Sequence, residues 1–258
     1  MLELKGAVCG YDKRVVVQDV SLTAEPGEVI CILGPNGVGK TTLFKSILGH
    51  IDLLGGQVLL DGQNMQSMSR KAVAQKIGYV PQAHTPPFPF TVRDVVVMGR
   101  TAHIPLFSAP KTEDYLISEE ALLTVGMSHL ADKIYTEISG GERQMVLIAR
   151  ALAQQSKLLI MDEPTANLDF GNQIRTLQQV QQLARSGLAV VMTTHFPDHV
   201  YLCATKVAVI KSWNEVLMGR PEEVLTSALL SELYGLPVNI TEITVSRQKF
   251  AFCVPAAF

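Results

Sequence analysis

Nine residues near the N-terminus combine the residue types that hold a chain of phosphates. The segment GPNGVGKTT (34–42) matches the spacing G-x-x-x-x-G-K-[ST] and lies between the apolar run VICIL and a helical pattern. Glycines allow a tight loop whose backbone N–H groups point at phosphate oxygens, while the lysine adds positive charge and the next hydroxyl suits Mg²⁺. The residues predicted to bind the phosphates are Gly34, Pro35, Asn36, Gly37, Val38, Gly39, Lys40, Thr41 and Thr42. Within this set, Thr41 is also predicted to contact the metal.

A pair of acidic residues, in the segment LLIMDEP (158–164), supplies the groups that Mg²⁺ and a reacting water need. We expect a buried strand to end in Asp162 and Glu163, and adjacent strand residues point to opposite sides. The two carboxylates therefore have different predicted roles. Asp162 is the expected Mg²⁺ partner, through water, and Glu163 is the expected base that polarises the attacking water. The alternative is that these are only two acids at the edge of a loop.

A second glycine pair lies at the start of a later helix, in the segment ISGGERQ (138–144). Ser139 followed three positions later by Glu142 forms a capping box, which begins a helix. Gly140 and Gly141 fall in the first turn, where each glycine costs about 0.5–1 kcal/mol relative to alanine. The pair is either incidental or allows an anion to approach the backbone closely, because helix N-termini attract negative charge.

The elements that must position these residues are short apolar strands alternating with helices. The expected strands are residues 29–33, 76–82, 158–161 and 188–194, and the expected helices are residues 40–48, 172–186 and those from Ser69 and Ser139. Runs that are apolar on both faces and alternate with helices predict an α/β fold with a mostly parallel sheet. The alternating residues of the first 28 positions predict an additional antiparallel β portion.

The pattern changes within the chain, and this predicts its organisation. We expect a single domain over residues 1–258, with an α/β core and its β subdomain at about 1–85 and 156–220. A helical subdomain is expected at about 86–155, after the proline-rich stretch TPPFPF (85–90). The tail at about 221–258 is expected to form a helix and then a strand, with no predicted task.

Composition limits the classes of protein that remain. The 258 residues are 47% hydrophobic and carry a net charge of −2, so no global charge favours nucleic acid as a partner. The four cysteines are scattered, which indicates a reducing compartment and packing roles, with Cys31 in the core. The longest apolar runs are far shorter than the roughly 20 residues that cross a bilayer. If the chain works at a membrane, another chain is expected to supply the spanning part.

With its three motifs in this order, the sequence resembles the ATP-binding subunits of ABC transporters. Many nucleotide triphosphatases carry the phosphate loop and the acidic pair, whereas ISGGERQ makes the resemblance specific to this family. The resemblance covers about residues 2–220 and implies a P-loop, RecA-like ATPase fold that binds ATP and Mg²⁺. It also implies a head-to-tail dimer, in which Ser139, Gly140, Gly141 and Glu142 face the ATP held by the second copy of the chain.

Four further positions take their expected roles from this resemblance. Tyr11 matches the aromatic residue that stacks on adenine, and Gln82 matches the glutamine that reaches Mg²⁺ and the attacking water. Asp169 matches the aspartate that links the two nucleotide sites, and His195 matches the histidine at the γ-phosphate. Packing for Tyr11, a surface amide for Gln82 and a helix cap for Asp169 are the alternatives. His195 and His199 are four residues apart, but HFPDH lacks the glutamate of HExxH zinc sites and Pro197 interrupts a helix, so a metal pair is not expected. His199 is instead expected at the surface or in a cap.

The segments at 85–100, 106–122 and 139–154 resemble one importer branch, which takes up iron–siderophore complexes, haem or cobalamin. This resemblance implies separate transmembrane permease subunits and, indirectly, an extracytoplasmic substrate-binding protein. The chain is then expected at the cytoplasmic face of the cell membrane, and residues from Gln82 to about Gly99 with the following helices are expected to receive the permease. The alternative is a soluble, non-transport ATPase of the same superfamily, such as one that assembles iron–sulfur clusters.

Overall fold

The computed structural model describes residues 1–82, 88–105, 107–245 and 248–256. The strands within these residues are β1 (Leu2–Tyr11), β2 (Arg14–Ala24), β3 (Val29–Leu33), β4 (Gly55–Leu60), β5 (Gln63–Asn64), β6 (Ile77–Val80), β7 (Leu158–Met161), β8 (Ala189–Thr194), β9 (Lys206–Ser212), β10 (Glu215–Gly219), β11 (Val238–Val245) and β12 (Gln248–Pro255). The helices are α1 (Lys40–Ile47), α2 (Arg70–Lys76), α3 (Val92–Val97), α4 (Thr112–Thr124), α5 (Gly140–Ala153), α6 (Phe170–Arg185), α7 (Pro197–Cys203), α8 (Pro221–Val224) and α9 (Ser227–Tyr234). Short 3₁₀ turns occupy Met65–Ser67, Met98–Ala102, Ser128–Leu130 and Tyr135–Glu137.

The uninterrupted apolar runs form the middle of a six-stranded sheet with the order β10-β9-β3-β8-β7-β6. All neighbouring pairs in it are parallel except β10 with β9 at one edge. Along β3, Val29, Cys31 and Leu33 pack into one hydrophobic cluster, whereas Ile30 and Ile32 pack into another on the opposite face. Burial on both faces explains why β3 is apolar at every position. The predicted α/β fold with a mostly parallel sheet is confirmed.

The N-terminal strands form a separate four-stranded sheet with the order β2-β1-β4-β5, in which every pairing is antiparallel. Its buried face contributes Leu2 and Leu4 to the same cluster as Ile30 and Ile32. Alternation of buried and exposed residues along β1 matches a sheet with one solvated face. The predicted antiparallel β portion is therefore confirmed.

Helices α3, α4 and α5 dominate the middle of the chain, as the sequence predicts. Thr91 and Asp94 form a capping box at the start of α3, and Arg100 joins the region internally, because its Nε lies 3.0 Å from Asp114 Oδ1. Of the two stretches that were expected to mark this region, residues 83–87 and 106 lie outside the described residues. The domain boundaries themselves stay a prediction.

The tail forms helices α8 and α9 and then the antiparallel hairpin β11–β12. The prediction of a helix followed by a strand is thus confirmed as secondary structure. Side chains from this segment, among them Leu230 and Val238, belong to the main hydrophobic cluster. In the part of the chain that the structure describes, no helix combines the length and apolar character required to span a bilayer.

Candidate functional site

Four neighbouring strands of the six-stranded sheet end at one edge, and a predicted site residue follows each of them. The order is β3, β8, β7 and β6, and all of these strands are parallel. The carboxyl ends therefore lie side by side, where ligands commonly bind in parallel α/β sheets. The residues that follow them are the loop 34–42, His195, Asp162 with Glu163, and Gln82.

The loop after β3 leads directly into α1 without a side-chain cap. Gly39, the N-cap residue, has φ +114° and no side-chain hydrogen bond, and no acidic residue occupies the first turn. Gly37 also has a positive φ, of +82°. Residues other than glycine rarely adopt these backbone angles, so the loop conformation depends on glycine. The N-terminal amides and the positive end of the helix dipole are consequently available to an anion.

Lys40 lies folded against this loop with only 6% of its surface exposed. Its Nζ donates to the carbonyl oxygens of Gly34 at 2.7 Å and Pro35 at 3.0 Å. Burial lowers the pKa of Lys40, while the nearby carboxylates of Glu163 and Asp162 oppose that shift. An ammonium group has three donors, so Lys40 can be held by the loop and still offer a proton to a phosphate oxygen.

The acidic pair lies just beyond the end of its strand, not within the strand as expected. Strand β7 stops at Met161, and Glu163 has a left-handed backbone with φ +44°. The expectation that strand alternation separates the two carboxylates is wrong, because neither residue belongs to the strand. Instead Thr193, on the neighbouring β8, connects them: its Oγ1 donates to Asp162 Oδ1 at 2.8 Å and accepts from the Glu163 N–H at 2.8 Å.

The carboxylate of Asp162 is buried, and the pKa of this group is raised by burial, although the hydrogen bond from Thr193 acts in the opposite direction. A buried carboxylate near Lys40 suits a bound cation. Thr41 is exposed at the start of α1 and offers a hydroxyl. Asp162, Thr41 and the amide oxygen of Gln82 carry oxygen atoms of the kind that Mg²⁺ prefers as ligands.

The carboxylate of Glu163 is held between two other predicted site residues. Gln82 Nε2 donates to Glu163 Oε2 at 3.1 Å, and His195 Nδ1 lies 3.5 Å from Glu163 Oε1. The Glu163 side chain is 17% exposed, which leaves it in contact with solvent. Phe196 stacks obliquely on the His195 ring at 4.0 Å between ring centroids. A partly exposed carboxylate between an amide and an imidazole can accept a proton from a positioned water.

The ISGGERQ segment begins α5 as the sequence predicts. Ser139 Oγ accepts from the Glu142 N–H at 3.3 Å, and Glu142 Oε2 accepts from the Ser139 N–H at 2.7 Å. These hydrogen bonds lower the pKa of Glu142. Between residues 139–142 and the loop 34–42, both within the described ranges, the structure has no hydrogen bond or ion pair. The fold therefore does not bring this segment to the strand ends within one chain.

The two glycines of this segment have different surroundings. A Cβ on Gly141 would lie 2.5 Å from Oδ1 and 2.6 Å from Nδ2 of Asn172, so any larger residue there would have to displace the Asn172 side chain. A Cβ on Gly140 would meet nothing closer than Leu168 at 3.9 Å. Asn172 Nδ2 also donates to Asp169 Oδ2 at 2.7 Å. The helix start is thereby connected to Asp169.

The remaining predicted residues lie at separate positions. Asp169 is the N-cap of α6, where its Oδ1 accepts from the Asn172 N–H at 2.9 Å, so the capping alternative is confirmed and its role between two sites stays a prediction. Tyr11 is 44% exposed at the end of β1, and its stacking on adenine stays a prediction. Cys31 is buried in the core as expected.

His199 contradicts its predicted surface position. It is 6% exposed, and its Nδ1 lies 3.3 Å from Thr165 Oγ1 and 3.4 Å from Thr194 Oγ1. Burial lowers the pKa of His199 to about 4. The short helix α7 turns this side chain inward beneath the His195 loop, which residue spacing alone does not reveal.

Sequence reasoning also misses Thr193 and Asn172. Each acts on a predicted site residue, Thr193 on the acidic pair and Asn172 on Asp169 and Gly141. The only signal for Thr193 is its place at the end of an apolar run, next to the residue before His195. Nothing in the sequence distinguishes Asn172 from other polar helix residues.

Comparisons with known proteins agree with this geometry. A family model described as ABC transporter matches residues 17–166. The molybdate import ATP-binding protein of Haemophilus influenzae is 36% identical over 94% of this chain and 91% of that protein. The hemin import ATP-binding protein of Nocardia farcinica is also 36% identical, over 93% of this chain and 83% of that protein.

A solved structure has the same fold over nearly the whole chain. It is an inward-facing transporter assigned to the metal-chelate type of ABC transporter, with a TM-score of 0.89 and 33% identity. The match covers 99% of this chain and 97% of that one. The similarity therefore extends to the tail, beyond the residues that the family model matches.

Proposed function

Because this chain belongs to the ABC transporter family, as an ATP-binding and ATP-hydrolysing subunit, we propose that it powers import of a metal chelate through a separate permease. The observation that carries the catalytic part is the meeting of Lys40, Glu163, His195 and Gln82 at neighbouring strand ends. A phosphate site and a base at the same edge of the sheet are the minimum that ATP hydrolysis needs.

Each group at this edge has one task in the proposal. The amides of the loop 34–42 and Lys40 bind the phosphates, and Glu163 accepts a proton from the attacking water. Gln82 and His195 orient Glu163 and the water, since both lie within 3.5 Å of that carboxylate. Asp162, Thr41 and Gln82 would hold Mg²⁺, which supplies positive charge to the phosphates when it is bound.

Dimerisation explains why the segment around Ser139 lies apart from the phosphate loop of its own chain. In the proposed head-to-tail dimer, the N-terminus of α5 faces ATP held by the second copy. Helix geometry leaves the N–H groups of Gly140 and Gly141 without intrahelical partners, so both can point at a γ-phosphate. Asp169 joins the two sites, and Tyr11, which is exposed, stacks on adenine.

The variant Glu163→Gln tests the catalytic assignment. Loss of a general base typically lowers turnover about 10²–10⁴-fold, while ATP binding at Lys40 continues. We expect this variant to accumulate as an ATP-bound dimer in size-exclusion chromatography. Glu120→Gln, an exposed residue of α4, is the matched control and should behave as the unmodified chain does. Unchanged turnover of Glu163→Gln would exclude Glu163 as the base.

The proposed cargo is a chelate of the haem, ferric siderophore or cobalamin class. A relative is named for hemin import, and the similar solved structure is assigned to the metal-chelate type. The relative named for molybdate import makes a small oxyanion the competing cargo. Uptake of labelled haem, ferric siderophore, cobalamin and molybdate by cells with and without this chain separates the two. Loss of molybdate uptake alone would contradict the chelate proposal.

The permease surface is proposed to be a groove of about 730 Å³ beside β6. Its lining comes from the segment after α1, including Ile51 and Leu53, from Met65 and from Tyr79. Tyr79 lies on β6 three residues before Gln82, so a permease helix seated in the groove could move Gln82. The earlier expectation for residues from Gln82 to Gly99 stays a prediction, since 83–87 lie outside the described residues.

Affinity purification from host membranes tests the partners. We expect permease subunits, accompanied by an extracytoplasmic binding protein, and a location at the cytoplasmic face of the membrane. Leu53→Glu should abolish recovery of the permease while ATP turnover of the isolated chain persists. Leu54→Glu, at the neighbouring position and not part of the groove lining, is the control. Recovery of soluble partners only would favour the iron–sulfur cluster assembly alternative.

A further inference from the structure

The loop that carries His195 is held from outside by the C-terminal tail. Between β8 and α7 it consists of His195 and Phe196 alone. The hydroxyl of Tyr234, the last residue of α9, donates to the His195 carbonyl oxygen at 2.9 Å. On the far side of the loop, the Cys253 N–H of β12 donates to Asp198 Oδ1 at 2.8 Å. The tail thus contacts the loop at His195 and the first turn of α7 at Asp198, from positions 39 and 55 residues away in sequence.

The tail is itself fixed firmly enough to hold a position. Ser231 Oγ accepts from the Val238 N–H at 2.8 Å, and Ser227 Oγ accepts from the Ile240 N–H at 3.0 Å, which joins α9 to the hairpin. Leu230 is fully buried, and Tyr234 packs against the main hydrophobic cluster. Burial raises the pKa of Tyr234 well above its usual value, so the hydroxyl keeps its proton and remains a donor.

We propose that Tyr234 is a positioning residue for ATP hydrolysis, which acts by fixing the backbone of His195. The imidazole of His195 lies 3.5 Å from the Glu163 carboxylate, and its Nδ1 is buried without a hydrogen-bond partner in the described structure. Phe196 is the only neighbour stacked on the ring within the described residues. The backbone therefore sets the ring position, and the hydroxyl of Tyr234 holds that backbone. This inference rests on the proposed catalytic role of His195.

A structural role for the same hydrogen bond is the competing explanation, and the chain provides a control for it. Tyr201, in α7, is a second half-buried tyrosine that contacts the tail, and its hydroxyl donates to the Leu225 carbonyl oxygen at 3.1 Å. Tyr201 has no contact with His195 among its hydrogen bonds and ring contacts in the described residues. Removing either hydroxyl deletes one tyrosine-to-carbonyl hydrogen bond in the same region, but only Tyr234 reaches the His195 loop.

The experiment compares Tyr234→Phe with Tyr201→Phe in steady-state ATP turnover and thermal unfolding. Both variants keep the ring, so both should fold and show similar small decreases in Tm. We expect Tyr234→Phe to lower kcat about five-fold, the equivalent of one lost hydrogen bond, with the KM for ATP unchanged. Tyr201→Phe should keep the original kcat. Equal kcat values for the two variants would overturn the proposal.

The His195→Ala background separates this proposal from the one on which it rests. If Tyr234 acts through His195, Tyr234→Phe should have no additional effect on single-turnover rate once His195 is alanine. The same fold-decrease in both backgrounds would show that Tyr234 acts by another route and would overturn the inference alone. Full turnover of His195→Ala would instead remove the catalytic role of His195, and the positioning role of Tyr234 would fall with it.

Discussion

The starts of α1 and α5 are both glycine-rich, yet they offer different surroundings to an anion. At α1 the cap is Gly39 without a side-chain hydrogen bond, no acid lies in the first turn, and Lys40 is present. At α5 the cap is Ser139, and Glu142 in the first turn already accepts the Ser139 N–H at 2.7 Å. A carboxylate at a helix N-terminus takes up part of the attraction for anions.

Within one chain, the start of α1 therefore combines more of the groups that bind phosphate than the start of α5 does. The start of α1 adds a lysine and the carboxyl ends of neighbouring strands to its amides. The start of α5 is partly neutralised by Glu142 in its first turn, and the nearby Arg143 donates to the Thr136 carbonyl oxygen at 3.4 Å. It is better suited to complete a site that already holds phosphate, which agrees with the proposed contribution to a second copy of the chain.

The largest effect is expected from mixing two inactive variants, which tests whether the start of α5 contributes to the ATP site of a second copy. Lys40→Ala and Ser139→Arg should each lower turnover on the order of 10²–10³-fold, the first by losing ATP and the second by blocking dimer closure. In a mixed dimer, one site combines the intact Lys40 of one copy with the intact Ser139 of the other. The mixture should therefore be about ten-fold or more above either variant alone, measured as phosphate release.

The control mixture combines two variants, Lys40→Ala and Glu163→Gln, whose substituted residues lie at the same edge of the sheet. Lys40→Ala mixed with Glu163→Gln leaves no site with both groups intact, because each chain supplies its own Lys40 and Glu163 at the same edge. This mixture should stay inactive. Restoration in neither mixture would mean that the ISGGERQ segment does not contribute to the ATP site of another chain.

Gly141→Ala tests whether packing against Asn172 accounts for the second glycine at the start of α5. The new methyl group would press on the Asn172 side chain, which is fixed by Asp169 and Arg175. Overpacking of this kind should lower the free energy of unfolding by about 1–3 kcal/mol, measured in urea. Asn172→Ala in the same chain should recover most of the loss. If Gly141→Ala unfolds as the original chain does, the packing explanation of this glycine is wrong.

Gly140→Ala should have the opposite effect on stability: a small increase in the free energy of unfolding, together with weaker ATP-dependent dimerisation. The position has space and a helical backbone, so alanine should add about 0.4–1 kcal/mol to the free energy of unfolding. The methyl group would nevertheless face the second copy in the proposed dimer. ATP-dependent dimerisation, measured by chromatography in the Glu163→Gln background, should weaken. Dimerisation at full strength would show that no phosphate approaches this backbone closely.

The smallest expected effect is a pH shift that distinguishes the acids of the two regions. Burial raises the pKa of Asp162, opposed by the Thr193 hydrogen bond, whereas hydrogen bonds from Ser139 lower the pKa of Glu142. Burial therefore favours protonation of Asp162 on acidification, whereas the hydrogen bonds of Glu142 oppose its protonation. Thr193→Val removes the hydrogen bond that lowers the pKa of Asp162. The acid limb of the pH dependence of kcat should therefore move to higher pH. Thr176→Val, a buried threonine away from this edge, is the control and should leave the limb in place.

The same shifts have opposite consequences for stability. A raised carboxyl pKa means that the folded chain binds the proton more tightly than the unfolded chain, so the contribution of Asp162 to unfolding free energy increases as pH falls. The contribution of Glu142 is present above its ordinary pKa and is lost as pH falls through the lowered value. If protonation of Asp162 causes the loss of kcat at low pH, helical circular dichroism should remain constant while kcat decreases. Loss of helix in step with kcat would contradict this assignment.

Local signals predicted much of the fold and part of the site. The capping box at Ser139, the helix from Lys40 and the strand at residues 29–33 depend on neighbours within a few positions, and all three are confirmed. The wrong expectations concern His199 and the end of β7. Both are decided by contacts with β8, roughly thirty residues from β7 along the chain. Residue spacing contains no information about such contacts.

Local patterns in the chain are enough to show where many helices and strands begin and end. Helical capping and apolar runs act over a few residues, so they are readable from the chain. The tertiary structure alone shows that β3, β8, β7 and β6 lie side by side, out of their order in sequence. It also decided that Asn172 meets Gly141 and that Tyr234 meets His195. These contacts arise because burial of both sheet faces and of the tail brings distant residues within hydrogen-bonding distance.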